Sequence, residues 1–216
     1  MQKFAPNLVI KMFETTINNV KLCFETEKSV FSPNNIDKGT LATLSTVNLS
    51  DSDKVLDLGC GYGAVGIYIA KCIGAKNVIL SDIDETSLKL ANINANLNGV
   101  NDVKIVHSDG FNNISDTNFT LILSNPPYHT NFSLAKHFIE KGFNRLQLNG
   151  KFFMVVKRKD WYVNKISAIF GGAKVSQIDD YYVICAEKRN SQYANKTLDK
   201  TPNKKVDHKT KKAKKL

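Results

Sequence analysis

From residue 54 onward, short apolar runs alternate with stretches whose apolar positions recur every three or four residues. Residues 54–57, 77–81, 103–106, 119–123 and 152–156 read as strands, each a brief apolar run bounded by polar or glycine positions. Between them, residues 65–73, 85–97, 133–148 and 161–170 carry helical spacing. Leu88, Ala91 and Ala95 share one face of the second, with Asp84 placed to cap its start and Gly99 to stop it. In the third, Leu134, Phe138 and Phe143 share a side, and Asn149-Gly150 is expected to end the helix. Strands spaced by helices imply βαβ units and a mainly parallel α/β sheet with helices on both faces. The end of the pattern departs from this. Residues 174–178 and 181–186 flank Asp179-Asp180, which predicts an antiparallel hairpin at the C-terminal end of the sheet.

Ahead of residue 54, residues 21–26 alternate, with Leu22 and Phe24 in phase, like a half-exposed strand. A polar loop (31–39) and a helix (40–47) follow. The expected organisation is an N-terminal extension over 1–50 packing on the main domain, that domain over 51–187, and a Lys-rich tail over 188–216. The tail holds eleven basic and two acidic side chains, so it carries nine of the ten net positive charges of the 216-residue chain. Such a run is either a solvated terminus or an arm that displaces counterions from nucleic-acid phosphates. Hydrophobic residues at 42% and charged residues at 23% exclude wholesale disorder. No apolar run approaches the ~18 residues of a membrane span, and the N-terminus lacks the apolar core of a secretory signal. Cys23, Cys60, Cys72 and Cys185 lie far apart with no Cys/His cluster, so no metal site is expected. They read as reduced, mostly buried thiols of a cytoplasmic protein.

The sharpest local signal is the run from Val55 to Gly66, a strand followed by Gly59, Gly61 and Gly63 and then a helix. Glycines let the backbone turn tightly and approach a ligand, but dinucleotide enzymes use similar loops. Asp57, just before the glycines, argues for a cationic ligand over a pyrophosphate. S-adenosylmethionine, with its sulfonium and ammonium groups, meets that requirement, and its carboxylate would find amides near Gly63 and Ala64. No GK[ST] follows, which excludes a nucleotide-triphosphate loop. Asp82, ending the next strand, is placed to accept ribose hydroxyls, with Ile83 beside the adenine. Asp109-Gly110, after the third strand, either reads the adenine edge or forms an ordinary turn.

The fourth strand runs into Asn125-Pro126-Pro127-Tyr128-His129. Two prolines fix the backbone. The side-chain oxygen of Asn125, which also borders the cofactor, and the carbonyl of Pro126 can then accept both N–H groups of a planar amine and aim its lone pair at a donor methyl. Tyr128 can stack on a flat substrate. His129 either contacts the substrate or caps the following segment. His107 and His137 read as packing or surface residues.

These motifs resemble, in order, those of class I S-adenosylmethionine-dependent methyltransferases. More narrowly, Val30-Phe31-Ser32, Asp37-Lys38-Gly39-Thr40 and His129 after the tetrad resemble the small-domain bacterial ribosomal RNA guanine-N2 methyltransferases, over residues 20–188. The resemblance implies a Rossmann-like seven-stranded sheet with a reversed last strand, ribosomal RNA or a ribosomal subunit as partner, and guanine N2 as acceptor. Tyr128 and Asn131 stand where the family often has Phe and Gly. The same tetrad serves adenine-N6 nucleic-acid methyltransferases and release-factor glutamine methyltransferases. A non-catalytic cofactor-binding module is the remaining reading, and the intact tetrad speaks against it.

Overall fold

A computed structural model describes residues 10–126 and 132–194. The chain opens with an antiparallel hairpin, β1 (Ile10–Ile17) and β2 (Val20–Glu27), which forms a sheet of its own. Asn18 and Asn19 both adopt positive φ, 45° and 67°, the geometry that lets a two-residue turn follow the twist of its strands. Then come α1 (Lys38–Thr46), β3 (Val55–Leu58), α2 (Ala64–Ile73), β4 (Val78–Asp82), α3 (Glu85–Leu97), β5 (Lys104–His107) and β6 (Phe119–Ser124). The last third is α4 (Phe132–Arg145), β7 (Leu146–Val156), α5 (Asp160–Phe170), β8 (Lys174–Ile178) and β9 (Tyr181–Glu187).

The seven strands β3 to β9 form one sheet in the order β5-β4-β3-β6-β7-β9-β8. Neighbours are parallel from β5 to β7, while β9 runs antiparallel to both β7 and β8. The expected α/β class and terminal hairpin are therefore present. The chain steps outward from β3 to β4 and β5, then returns to lay β6 on the other side of β3. In open α/β sheets such a reversal opens a crevice at the carboxyl ends of the strands. One face packs α1, α2, α3 and the hairpin around Ile67, Leu80 and Val155. The other packs α4 and α5 around Phe119, Phe143 and Phe152.

Two buried asparagines, Asn94 on α3 and Asn98 at its C-cap, hold the hairpin to the body. Asn94 donates to the carbonyls of Glu25 and Tyr62 and accepts from the amide of Glu25; Asn98 makes the matching pair with the amide and carbonyl of Cys23. Four residues of helix rise about 6 Å, close to the span of two strand residues, so the amides act as a missing partner strand for the β2 edge. Asn94→Ala leaves three backbone groups unpaired, and urea unfolding should show a loss of about 2 kcal/mol.

The structure differs from the sequence-based expectation in four places. β1 was not expected. The helix expected over 133–148 ends at Arg145, whose guanidinium donates to the carbonyls of Ser115 and Asp116. Leu146 instead enters β7, buried opposite Phe119, and a register shift follows: Phe119 faces Leu146 but Leu121 faces Lys151. The body also extends past residue 187. Lys188 exchanges backbone hydrogen bonds with Asn149 and Gly150, and Tyr193 packs edge-on against Phe143 and donates to the carbonyl of Glu140. The basic run after it lies outside the described residues. Finally, of the four thiols only Cys60 is buried, and Cys72 is exposed on α2.

Candidate active site

A cavity of about 310 Å³ opens at the carboxyl ends of β3, β4 and β6, within the size range of small-molecule sites. The glycine turn after β3 forms its floor. Gly59 and Gly61 hold φ of +75° and +55°, and a Cβ on either would point into open space, so conformation, not crowding, favours glycine there. The turn is tied to β4. The amides of Gly59 and Cys60 donate to the carbonyl of Ser81, and the amide of Gly61 donates to Asp82 Oδ2 at 2.8 Å. Asp82 Oδ1 accepts from the amide of Asp84, which caps α3 through Ser87. Asp82 thus shapes the turn while lining the cavity beside exposed Ile83.

Gly63 does not line the cavity. It is the N-cap of α2 at φ +95°, its amide is spent on the carbonyl of Cys60, and a Cβ there would meet Ile67 Cδ1 at 2.8 Å. Its glycine serves the turn and the packing, while neighbouring Ala64 lines the cavity. Asp57 is 3% exposed and accepts from the amide of Gly66 at 2.8 Å. Burial raises its carboxyl from the ordinary 3.8 to about 7; the Gly66 amide opposes that shift and the nearby Asp82 charge adds to it. Burial, with Asp57 and Asp82 close by, also pushes the Cys60 thiol up. Asp109 and Gly110 line the opposite wall. Gly110 sits at φ +55° with no room for a Cβ against the His137 ring, and His107 bonds the carbonyl of Ile83.

Asn125 and Pro126 close the cavity after β6. The Asn125 amide nitrogen donates to Asp37 Oδ2 at 2.9 Å and to Thr40 Oγ1 at 3.3 Å, both on the N-terminal turn of α1. Pro127, Tyr128 and His129 lie outside the described residues. Phe31, Asp37, Thr40, Leu134 and Phe138 also line it. Local sequence patterns do not mark these five as cavity residues, although Phe31, Asp37 and Thr40 fall in the motifs that carry the family resemblance. A wider groove of about 490 Å³ runs along β7, β9 and β8, but it lies toward the other end of the sheet and gathers no glycine turn or acid set.

Residues 21–186 match the family described as Methyltransferase small domain. The chain belongs to this family. It is an S-adenosylmethionine-dependent methyltransferase. Within the family, it is 30% identical over 178 residues to the uncharacterized protein YbxB of Bacillus subtilis (strain 168), covering 80% of this chain and 89% of that one. It is 33% identical over 180 residues to ribosomal RNA small subunit methyltransferase C of Actinobacillus succinogenes, covering 80% of this chain and 54% of the relative. Among solved structures it is similar to the T. thermophilus 16S rRNA N2 G1207 methyltransferase (RsmC) in complex with AdoMet and guanosine. The TM-score is 0.78 at 28% identity, covering 85% of this chain and 52% of that one. The chain therefore spans about half the length of its methyltransferase C relatives. The cavity suits the family's cofactor in its chemistry: a buried carboxyl for a cation, a second acid on the next strand for a diol, and bare glycine backbone between them.

Proposed function

We propose that the protein methylates an exocyclic amine of small-subunit ribosomal RNA, with guanine N2 as the acceptor atom. S-adenosylmethionine supplies a methyl group on a positively charged sulfur. Asp57 would face its cationic end, the Gly59–Gly61 turn its backbone, Asp82 its ribose, and Ile83 with Asp109-Gly110 its base. Asn125 and Pro126 would receive the acceptor amine, with Pro127, Tyr128 and His129 completing the substrate side. The observation carrying this reading is the carboxamide of Asn125, which closes the cofactor cavity with its nitrogen engaged elsewhere. Its oxygen is then the end that can accept an N–H. The choice of ribosomal RNA leans on the methyltransferase C relatives.

The test supplies methyl-labelled S-adenosylmethionine and, in separate arms, small ribosomal subunits, naked 16S rRNA, DNA and release factor. Label should enter the RNA and co-elute with N2-methylguanosine after digestion. Label in N6-methyladenosine or in release factor would replace the acceptor, and label in no arm would favour a binding module.

A further inference from the structure

A carboxamide has two ends of nearly equal size. Turning Asn125 by 180° about its last torsion would exchange oxygen and nitrogen without disturbing its packing, so only hydrogen bonding decides which end faces the cavity. The Asn125 nitrogen lies 2.9 Å from Asp37 Oδ2. A carboxylate oxygen accepts and does not donate, so the reversed amide would set oxygen against oxygen at that distance. Thr40 Oγ1, at 3.3 Å, accepts from the same nitrogen, but a hydroxyl could equally donate to a reversed oxygen, so the carboxylate alone selects the orientation.

Asp37 is itself held by two other elements. As the N-cap of α1 it accepts from the Thr40 amide through Oδ2 at 3.2 Å. Its Oδ1 accepts from the hydroxyl of buried Tyr181, on β9, at 3.4 Å. Three parts of the chain, from the N-terminal extension, the end of β6 and the start of β9, thus meet at one carboxylate.

We propose that Asp37 is a positioning residue that fixes which end of the Asn125 carboxamide meets the acceptor amine. The inference rests on the reading of Asn125 as an amine acceptor. It gives the N-terminal extension a part in the reaction. With the oxygen turned to the substrate, the site favours a donor such as –NH2 and opposes a carbonyl at the same position. A reversed amide would present N–H groups that an amine lone pair would engage, turning that lone pair away from the donor methyl.

The experiment compares Asp37→Ser, Asp37→Asn and Asn125→Ala in methyl transfer to purified 16S rRNA, with cofactor affinity by calorimetry and thermal melting alongside. Serine keeps an oxygen that can cap α1 but is too short to reach Asn125. Asparagine keeps an acceptor at full length. Asp37→Ser should lose about thirtyfold in kcat, as expected of a displaced reacting group, with cofactor affinity within about twofold and melting close to wild type. Asp37→Asn should recover most of that loss. Wild-type kcat in Asp37→Ser, or equal slowness in Asp37→Asn, overturns the proposal. So does a parallel fall in melting temperature and cofactor affinity, which would make Asp37 structural only. If Asn125→Ala itself turns over normally, the reading of Asn125 has failed; if Asn125→Ala is slow while Asp37→Ser is not, only the inference about Asp37 has.

Discussion

Asn125→Ala should reduce methyl transfer at saturating substrate by about 10³-fold or more, the range lost when a fixed orienting contact to a reacting group is removed. The affinity for S-adenosylmethionine should stay within about twofold, because the groups proposed to hold it lie on β3, β4 and the segment after β5. The fold should tolerate the change. Asp37 would still accept from the Thr40 amide and the Tyr181 hydroxyl, so no carboxylate is left bare. Asn125→Asp should be equally inactive and less stable, since it would set a second carboxylate 2.9 Å from Asp37. Single-turnover transfer with calorimetry checks both variants. Turnover near wild type in Asn125→Ala would refute the assignment of the acceptor contact.

What could be read from the chain followed from how far each signal reaches. The central strands of the main sheet are buried on both sides and stand out as apolar runs, so the sequence pattern places β3, β4 and β6 to within a residue or two. β1 escaped because its side chains are half exposed and Met12 faces outward, leaving only the Asn18-Asn19 turn as a cue. The end of α4 was misplaced because Leu146 and Leu148 continue the helical spacing. Burial of Leu146 against Phe119, a tertiary contact, decides otherwise. In the site, the roles proposed for Asp57 and Asp82 follow from residue type and strand position. The Asp37–Asn125 contact joins residues 88 positions apart and leaves no trace in either local pattern. Gly63 shows the opposite limit, since a glycine needed for a turn and one needed by a ligand look alike in sequence.

Cofactor affinity should rise about thirtyfold from pH 5.5 to its plateau, and Asp57→Asn should flatten that rise. The carboxyl of Asp57 titrates at about 7 because it is buried. A cationic ligand favours its ionised form, so binding below pH 7 must first remove a proton, at nearly tenfold in affinity per pH unit. Near pH 8 the ligand's own amino group begins to lose its charge, so the plateau should be narrow. Asp37, Asp82 and Asp109 also line the cavity, and no histidine does so among the described residues. Stability should run the other way. The folded chain holds this proton up to about pH 7, whereas the unfolded chain releases it near 3.8, so Asp57 lowers stability as pH rises between those values. Asparagine keeps an oxygen for the Gly66 amide without the charge. The cofactor-free Asp57→Asn protein should therefore be more stable than wild type at pH 8, by on the order of 4 kcal/mol, while binding the cofactor less tightly. Calorimetric titrations and urea unfolding across pH 5.5 to 8 test both halves. An acid limb that survives in Asp57→Asn would show that another group carries the proton.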